Sequence, residues 1–357
     1  MTEIYPLPDK EAYRRKYPMP DLDTDIITLA HGSGGLMMHE LLEKAVLRVL
    51  SNPWLETRHD GAVLSPDGPV AFTTDSFVVS PVFFPGGDIG ELAINGTVND
   101  IAVTGGIPAW LSLAFILEEG LPVKDFWEIL LSVKYAADRA GVHIVTGDTK
   151  VVDKGKGDKI FITTSGTGPL HPRAHIGLSR IKPGDKVIVS NRIGTHGIAI
   201  LSVREGLAFD SPIRSDTTPL HRLTRALLDR LGPDVKLMRD PTRGGLAGVM
   251  NEIAKTTGRT VELEEERIPV APEVRAACEM LGLDPLYSAN EGVLAAVVAP
   301  GTEEEAVRQL RQFPEGRHAA VIGEITEGDD GVVVLRNALG GKRVIMMPVG
   351  EQLPRIC

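Results

Sequence analysis

The sequence predicts a two-domain protein of the α/β class, mixed with α+β features, and three observations indicate this. Its 357 residues exceed what one ordinary hydrophobic core holds. From about Val70 onwards, stretches with strand periodicity alternate with stretches of helical periodicity. The composition, with 43% hydrophobic and 24% charged residues, is that of a globular protein, and the 38 glycines and 25 prolines indicate many ordered turns.

The N-terminal half begins with an irregular segment. Residues 1–27 are rich in proline, tyrosine and charge without a clear period, so we expect an extension lying on the body of the protein. An N-terminal domain is predicted over residues 28–168. Its predicted helices cover 36–50, 88–105 and 122–141, and its predicted strands cover 69–79, 108–117, 142–146 and 159–167.

The helix over 122–141 has the strongest pattern. Pro122 suits a first helical turn, and Gly141 is a typical helix end. Phe126, Leu130 and Val133 fall on one face, together with Ala137. We therefore expect this face to pack on the domain core.

A domain boundary is predicted at 166–169, where two glycines and a proline interrupt both periodicities. A C-terminal α/β domain is expected over 169–346, followed by a mobile tail over 347–357. The predicted helices of this domain are 197–205, 218–231, 245–257 and 272–281, and its predicted strands are 185–190, a segment near Val261, 293–299, 320–325 and 332–335.

Charge and cysteine content exclude several classes of function. The formal net charge of −10 disfavours broad binding to nucleic acids or anionic membranes. The N-terminus lacks a secretory signal pattern, and the longest apolar runs are too short for a membrane span, so we expect a cytoplasmic protein. Its two cysteines would stay reduced there and are too few for a structural zinc site.

One of the two cysteines, Cys357, is the last residue of the chain. A terminal thiol has no downstream backbone to tether it, so it can enter an active site as a covalent carrier. The alternative is an incidental cysteine on a frayed tail. Cys278 lies in an apolar, helix-like run, and we assign it to the core.

A glycine-rich turn precedes the first predicted helix. His31 is followed by Gly32, Ser33, Gly34 and Gly35, whose bare N–H groups at a helix start form a natural anion cradle. A glycine-rich turn without a ligand is the alternative. The segment matches neither a Walker loop nor a dinucleotide fingerprint.

Acidic motifs lie at loop-like ends of four predicted elements. They contain Asp75, Asp100, Asp148 and Asp240. Several carboxylates gathered together suit Mg²⁺, which also retains water and substrate phosphates as ligands. Each aspartate alone could instead cap a helix or form a turn.

Four further polar residues are candidates for a site. Asn95 and Asn99 share one face of a predicted helix, which indicates either a polar site or a satisfied buried network. Lys150 follows Asp148 at a predicted strand end, and Glu291 precedes an apolar strand. Either of these two could also be an ordinary surface residue.

In their order along the chain, these motifs resemble one ATP-binding superfamily. It contains aminoimidazole ribonucleotide synthetase, selenophosphate synthetase and thiamine monophosphate kinase, and the resemblance covers roughly residues 28–335. The ending Pro354-Arg355-Ile356-Cys357 is similar to that of its hydrogenase-maturation members, which are carbamoyl dehydratases. The resemblance implies a PurM-like architecture, a homodimer through the N-terminal domains, and ATP and Mg²⁺ near the dimer interface.

The resemblance also implies roles for individual residues. Cys357, Glu291 and Lys150 would be catalytic. Metal would be held by Asp75, Asp100, Asp148 and Asp240. Nucleotide would be bound by Gly32, Ser33, Gly34, Gly35, Asp75, Asn95, Asn99, Asp100, Asp148, Thr149 and Arg243.

The implied reaction takes place on the terminal thiol. Cys357 would receive a carbamoyl group from the carbamoyltransferase HypF. ATP-dependent dehydration would convert the thiocarbamate to a thiocyanate, and cyanide would pass to a HypC–HypD complex for the iron centre of [NiFe]-hydrogenase. Phosphorylation makes the amide oxygen a good leaving group, and a base near N–H assists its departure.

Two other functions remain compatible with the sequence. One is a superfamily kinase or synthetase that acts on a free small molecule and has no need of the terminal thiol. The other is a non-enzymatic ATP-binding scaffold whose tail docks a partner. Removal of the last residues, or a Cys357→Ala change, separates these alternatives from the tail-modifying enzyme.

Overall fold

A computed structural model describes residues 10–206, 213–328, 330–348 and 355–357. Two sheets divide these residues along the chain. The first contains strands up to Pro169, and the second contains strands from Lys186 onwards. Within the described ranges, no helix has the length and apolar character needed to cross a membrane.

The N-terminal domain is a four-stranded sheet, in the order β1-β6-β4-β5, covered on one face by two long helices. Only β4 and β5 pair in parallel. A short helix from the N-terminal extension packs on α5. The elements are α1 (Lys10–Lys16), α2 (Leu36–Leu41), α3 (Arg48–Leu50), β1 (Val70–Phe77), β2 (Phe83–Phe84), β3 (Gly87–Asp88), α4 (Ile89–Val103), β4 (Trp110–Glu118), α5 (Val123–Ala140), β5 (His143–Val152) and β6 (Ile160–Pro169).

The C-terminal domain is a seven-stranded, mostly antiparallel sheet, in the order β13-β12-β9-β11-β7-β10-β8. Helices surround it. The elements are β7 (Lys186–Val189), α6 (Thr195–Arg204), α7 (His221–Leu231), β8 (Val235–Arg239), α8 (Gly245–Thr257), β9 (Thr260–Glu264), α9 (Pro272–Leu281), β10 (Ala295–Val298), α10 (Glu303–Leu310), β11 (Ala320–Thr326), β12 (Val333–Arg336) and β13 (Lys342–Ile345).

The N-terminal core confirms the face predicted for α5. Phe126, Leu130, Val133 and Ala137 are all buried in one apolar cluster with α4 and the inner face of the sheet. A π-helical stretch, Leu42–Leu47, joins α2 to α3, so 36–50 form the continuous helical run that the sequence predicted.

The placement of three acidic motifs at loop-like ends was wrong. Asp75 lies inside β1, Asp100 lies inside α4, and Asp148 lies inside β5, which extends to Val152 rather than ending near Thr146. The polar residues do not interrupt these elements, because alternate strand positions leave one face open to polar groups. Only Asp240 follows the end of its strand, β8.

Candidate active site

Asp75 and Asp100 meet where β1 packs against α4. Thr73, on the same face of β1 as Asp75, donates a hydrogen bond of 2.8 Å from its hydroxyl to Asp100 Oδ2. The close approach of strand and helix needs Gly96. A Cβ at this position would lie 2.9 Å from the Phe77 ring, so any larger residue would push β1 and its carboxylate away.

Asp240 and Glu291 come from two adjoining loops of the C-terminal domain. Asn290 joins the loops, because its backbone N–H and its side-chain amide both donate to the carbonyl of Pro241, at 3.2 and 2.8 Å. Glu291 is buried, with 2% of its surface exposed. The alternative of a surface position for Glu291 was therefore wrong.

Electrostatics shows that these carboxylates form one group. Burial raises the pKa of Asp240 to about 7, and repulsion from Asp100 and Asp75 adds to the effect. Burial also raises the pKa of Glu291 well above its usual range, with further repulsion from Asp240 and the other aspartates. We call Asp75, Asp100, Asp240 and Glu291 the acidic cluster.

Two arginines partly offset this repulsion. Burial raises the pKa of Asp100, whereas the charges of Arg239 and Arg243 oppose the shift. Arg243 opposes the corresponding shift of the Asp75 pKa, which is also due first to burial. Arg243 was among the predicted site residues. Arg239, which directly precedes Asp240, was not.

The two predicted asparagines join the domains. The amide of Asn99 donates to the carbonyl of Thr218, at 3.1 Å, and its oxygen accepts from the N–H of Leu220, at 2.7 Å. Asn95 donates to Thr217 Oγ1, at 3.2 Å. Both asparagines are 1% exposed. Asn99 thus belongs to a buried network, whereas Asn95 Oδ1 is buried without a hydrogen-bond partner among the described residues.

A second group of predicted residues lies on β5, away from the acidic cluster. Lys150 and Asp148 form an ion pair of 2.9 Å and are both exposed. They pair in register with Ile116 and Ala114 of β4, on the outer face of the sheet, whereas Asp75 lies on the inner face. The strands β6 and β4 separate β5 from β1, by roughly 14 Å in all.

This separation limits what a single protomer can do. One protomer does not bring Lys150 beside Glu291, and it does not bring Asp148 into the acidic cluster. The hydrogen bond from Lys150 lowers the pKa of Asp148, and the bond from the Thr149 N–H adds to this effect, against the opposing influence of burial.

The glycine-rich turn lies beside the end of β5. Gly32 packs so closely on Val151 that a Cβ would lie 2.7 Å from the Val151 nitrogen. Gly34 has a φ of +78° and open space around it, and Gly35 caps α2. Ser33 donates its hydroxyl to the carbonyl of Ala30, at 2.9 Å.

A cavity of about 510 Å³ opens between this helical run and β5. Thr149 and Asp148 line one wall, and Met38, His39 and Trp54 line the opposite side. The volume is in the range of small-molecule sites. The glycine-rich turn, Asp148 and this cavity therefore form a second candidate binding region.

The end of the chain lies in the crease between the two domains. Val78, just beyond β1, donates its N–H to an oxygen of the Cys357 carboxylate, at 3.1 Å, and Ser80 donates to the carbonyl of Arg355, at 3.3 Å. Ile356 is 6% exposed and packs in the N-terminal core. The predicted tail residues 349–354 lie outside the described ranges, whereas the last three residues are docked.

Sequence reasoning missed three residues around this crease. His196 and Arg204 of α6 hold the docked tip, and no local pattern in the sequence marks them. Asp216 accepts the N–H of Glu291, at 3.1 Å, and burial raises its pKa to about 6. The clue at Asp216 would have been its carboxylate within an otherwise apolar and threonine-rich stretch.

The acidic cluster suits a cation. Among the described residues, no three histidine, cysteine or acidic side chains lie close enough to hold one metal ion together. However, Glu291 Oε1 is buried and has no hydrogen-bond partner among the described residues. The mutual repulsion of the carboxylates also favours a positive charge between them. Oxygen ligands of this kind are those that Mg²⁺ prefers.

This two-domain fold, with its acidic cluster at the domain junction, defines a class of protein. The family described as AIR synthase related protein matches the chain twice. Its N-terminal domain matches residues 58–170, and its C-terminal domain matches residues 182–336.

Individual relatives narrow the family further. The chain is 48% identical to carbamoyl dehydratase HypE of Azotobacter vinelandii over 338 residues, which is 94% of this chain and 99% of the relative. A crystal structure of HypE in complex with ATP matches with a TM-score of 0.89 and 46% identity, covering 92% of this chain and 99% of that one. A HypE–HypF complex matches with a TM-score of 0.76 and 44% identity, covering 88% and 100%. The chain belongs to the HypE family of carbamoyl dehydratases.

Proposed function

We propose that this protein catalyses the ATP-dependent dehydration of a carbamoyl group carried on its own terminal cysteine, Cys357, in hydrogenase maturation. The product is a thiocyanate. The observation that carries the proposal is the docked tip: Cys357 accepts the N–H of Val78, three residues beyond Asp75, and the Ile356 carbonyl bonds to His196 of the C-terminal domain. The terminal residue thus docks between the end of β1, which carries Asp75, and the domain that carries Asp240 and Glu291.

The reaction converts Cys–S–C(=O)–NH₂ and ATP into Cys–S–C≡N, ADP and phosphate. The carbamoyl oxygen takes the γ-phosphoryl group of ATP and then leaves as phosphate, while the nitrogen loses two protons. Glu291 is the base that we assign to this step. Burial raises its pKa, which makes the ionised carboxylate a stronger base than an exposed one.

Metal and phosphate binding follow from the acidic cluster. We assign Mg²⁺ to Asp75, Asp100 and Asp240, with Asp148 as a ligand from the other binding region. The bound ion would offset charge on the phosphoryl group. Arg243 and the glycine-rich turn would contact the phosphates, since exposed N–H groups and a guanidinium both bind anions.

A homodimer would unite the two regions. The outer face of the four-stranded sheet exposes Val70, Phe72 and Ile116, with 41%, 70% and 40% of their surfaces accessible. A two-fold axis along the strands, with these faces packed together, sets β5 of one copy opposite β1 of the other. Because β1 and β5 are the edge strands of the sheet, Lys150 and Asp148 of one copy would then reach the acidic cluster of the second around the edge of β1.

Two partners complete the cycle. HypF is the carbamoyl donor, and it is the protein with which a relative has been solved as a complex. A HypC–HypD complex is the cyanide acceptor that we propose. Both exchanges require Cys357 to leave the crease, which breaks the hydrogen bonds that hold Arg355, Ile356 and Cys357 there.

Intact-mass analysis after incubation with HypF and its carbamoyl donor, with and without ATP, tests the function. We expect the mass of one carbamoyl group to be added to Cys357. The mass of one water should then be lost only when ATP is supplied to this protein. Glu291→Gln should accept the carbamoyl group but lose water about 10²-fold to 10⁴-fold more slowly. If Cys357→Ala retains ATP turnover on a free small molecule, the protein is a small-molecule kinase. If ATP never produces the loss of water in the wild-type protein, the dehydratase assignment is wrong.

A further inference from the structure

The docked tip is held almost entirely through its main chain. Val78 pairs with Cys357 and Ser80 pairs with Arg355, in the spacing of a two-residue antiparallel ladder. The carbonyl of the intervening residue, Ile356, faces the other way and accepts from His196 Nε2, at 2.6 Å. Each of the three terminal residues therefore has a main-chain oxygen bonded to the body.

The His196 ring is fixed for this task. It is fully buried, and the Phe84 ring packs edge-on against it, with centroids 5.6 Å apart. A carbonyl oxygen can only accept, so Nε2 must carry the hydrogen and Nδ1 must accept. Ser215 Oγ lies 2.7 Å from Nδ1 and itself accepts the N–H of Thr217, at 3.1 Å, so its hydroxyl hydrogen is directed at the ring.

Arg204 holds the next carbonyl along the tip. It lies eight residues after His196 on α6, which places both side chains on one face of the helix. Its guanidinium donates to the carbonyl of Arg355 and, at 2.5 Å, to the carbonyl of Ser80. One side chain thus bridges the tip to the strand with which the tip pairs.

The backbone of Arg355 shows that the docked state is specific. Its φ of +55° lies in the left-handed region, which is costly for a residue with a side chain. The Arg355 side chain forms an ion pair with Asp158 and donates to the carbonyl of Val78, at 3.3 Å. Such a conformation persists where surrounding contacts determine it.

We propose that His196 and Arg204 are positioning residues that seat the terminal cysteine by gripping the main-chain carbonyls of Ile356 and Arg355. The proposal rests on the proposed function and adds a specificity to it. His196 and Arg204 grip the main chain of Ile356 and Arg355, so we expect the same seat to accept a terminal cysteine that carries a free thiol, a thiocarbamate or a thiocyanate. Ile356 supplies the only buried side chain of the three docked residues.

The test compares full-length His196→Leu, His196→Gln and wild-type protein. Iodoacetamide labelling of Cys357 is followed by intact mass and peptide mapping, and Cys278 reacts slowly because burial raises its pKa to about 11. Loss of one hydrogen bond to a carbonyl changes an equilibrium constant by about tenfold. We expect His196→Leu to label about tenfold faster, whereas His196→Gln, which retains an N–H donor, labels close to the wild-type rate.

His171→Leu is the matched control. His171 is also a buried histidine, 6% exposed, but it bonds Asp229, at 3.0 Å, and does not contact the tip. In the dehydration assay, His196→Leu should lower kcat and leave the KM for ATP unchanged. If His196→Leu fails to fold, Arg204→Ala provides the measurement, because it removes the guanidinium that donates to the carbonyls of Arg355 and Ser80.

Equal labelling rates in wild-type, His196→Leu or Arg204→Ala, and His171→Leu proteins would overturn the proposal. Equal acceleration in His196→Leu and His171→Leu would also overturn it, since loosening of the fold would then explain both. The labelling needs neither ATP nor a carbamoyl group. The labelling therefore tests the positioning of the tip, and the ATP-dependent loss of water tests the proposed function. Failure of one can be distinguished from failure of the other.

Discussion

The carbonyl oxygen of Ile356 and Nε2 of His196 are 2.6 Å apart, and this bond connects the end of the chain to the interior of the C-terminal domain. Burial lowers the pKa of His196 to about 4, and the nearby charge of Arg204 adds to the shift, against the bond to Ile356. The ring is therefore neutral at physiological pH. A second proton would have to displace the hydroxyl of Ser215 from Nδ1.

His196 should make the protein less stable as the pH is lowered. The unfolded chain binds a proton at this histidine below about pH 6.5, whereas the native protein does so only below about pH 4. In this window the unfolded state holds more protons, so the free energy of unfolding falls as the pH drops. The loss amounts to about 1.4 kcal/mol for each pKa unit, or about 3 kcal/mol in full.

Urea unfolding of wild-type and His196→Gln protein between pH 4.5 and 8 measures this contribution. Glutamine does not titrate, so the difference between the two proteins should be constant above pH 7 and should move in favour of the variant below pH 6. A difference that is flat over the whole range would show that the ring is not buried in its neutral form.

Asp240 should act in the opposite direction. Its native pKa of about 7 lies above the unfolded value of 3.8, so the native protein holds the extra proton between these values. Without divalent metal, this group makes the protein less stable as the pH rises from 4 to 7. Asp240→Asn removes that penalty and should be more stable than wild type at pH 8, by a margin that disappears towards pH 4.

Magnesium separates this effect from a simple packing change. Thermal unfolding is recorded at pH 8 in a chelator and then with excess Mg²⁺. A ligand that binds only the native state raises the melting temperature, so wild type should gain stability and Asp240→Asn should gain much less. An equal gain in both proteins would place the metal elsewhere.

Local pattern predicted the fold well but could not assemble the site. The periodicity of Phe126, Leu130, Val133 and Ala137 identified the α5 core face, because the helical repeat is a local property. Whether Lys150 meets Glu291 depends on strand order, on which face of β5 the lysine occupies, and on a second copy of the chain. None of these is encoded in the spacing of a motif.

The residues that hold the tip show the same limit more sharply. His196 is an ordinary histidine in an apolar helix, and only the placement of the last three residues of the chain gives its Nε2 a partner at Ile356. The acidic motifs were identifiable because several carboxylates recur with glycines and threonines. A single donor that serves one main-chain carbonyl leaves no such pattern.

The outer face of the four-stranded sheet should form the dimer interface. Phe72, 70% exposed, lies centrally on β1 with Thr74 beside it on the same face. Phe72→Asp would place an unpaired charge in a packed apolar interface, which costs enough to dissociate a standard dimer. Analytical ultracentrifugation should show the wild type as a dimer and the variant as a monomer.

Met280→Asp is the matched control, because Met280 is 76% exposed and lies on α9 in the C-terminal domain. It introduces the same charge at an apolar surface residue away from the sheet face, and the dimer should persist. Dissociation by both substitutions, or by neither, would contradict an interface on this sheet face.

The division of the catalytic groups between copies is tested by mixing two inactive proteins. Lys150 lies on the outer face of β5 and Glu291 lies at the domain junction, so we expect each complete site to take the lysine from one copy and the glutamate from the other. Lys150→Ala and Glu291→Gln homodimers each lack one group at both sites. A heterodimer of the two variants contains one site with both groups intact and one with neither.

Random exchange of equal amounts yields heterodimers as half of all dimers, each with one working site, so the mixture should recover about a quarter of the wild-type dehydration rate. The measurement is the ATP-dependent loss of one water from Cys357, read by intact mass. If one protomer supplies both groups to its own site, every site in the heterodimer carries one defect, and mixing restores nothing. Mixing with the monomeric Phe72→Asp form of either variant should also restore nothing, because recovery requires the interface that brings Lys150 to Glu291.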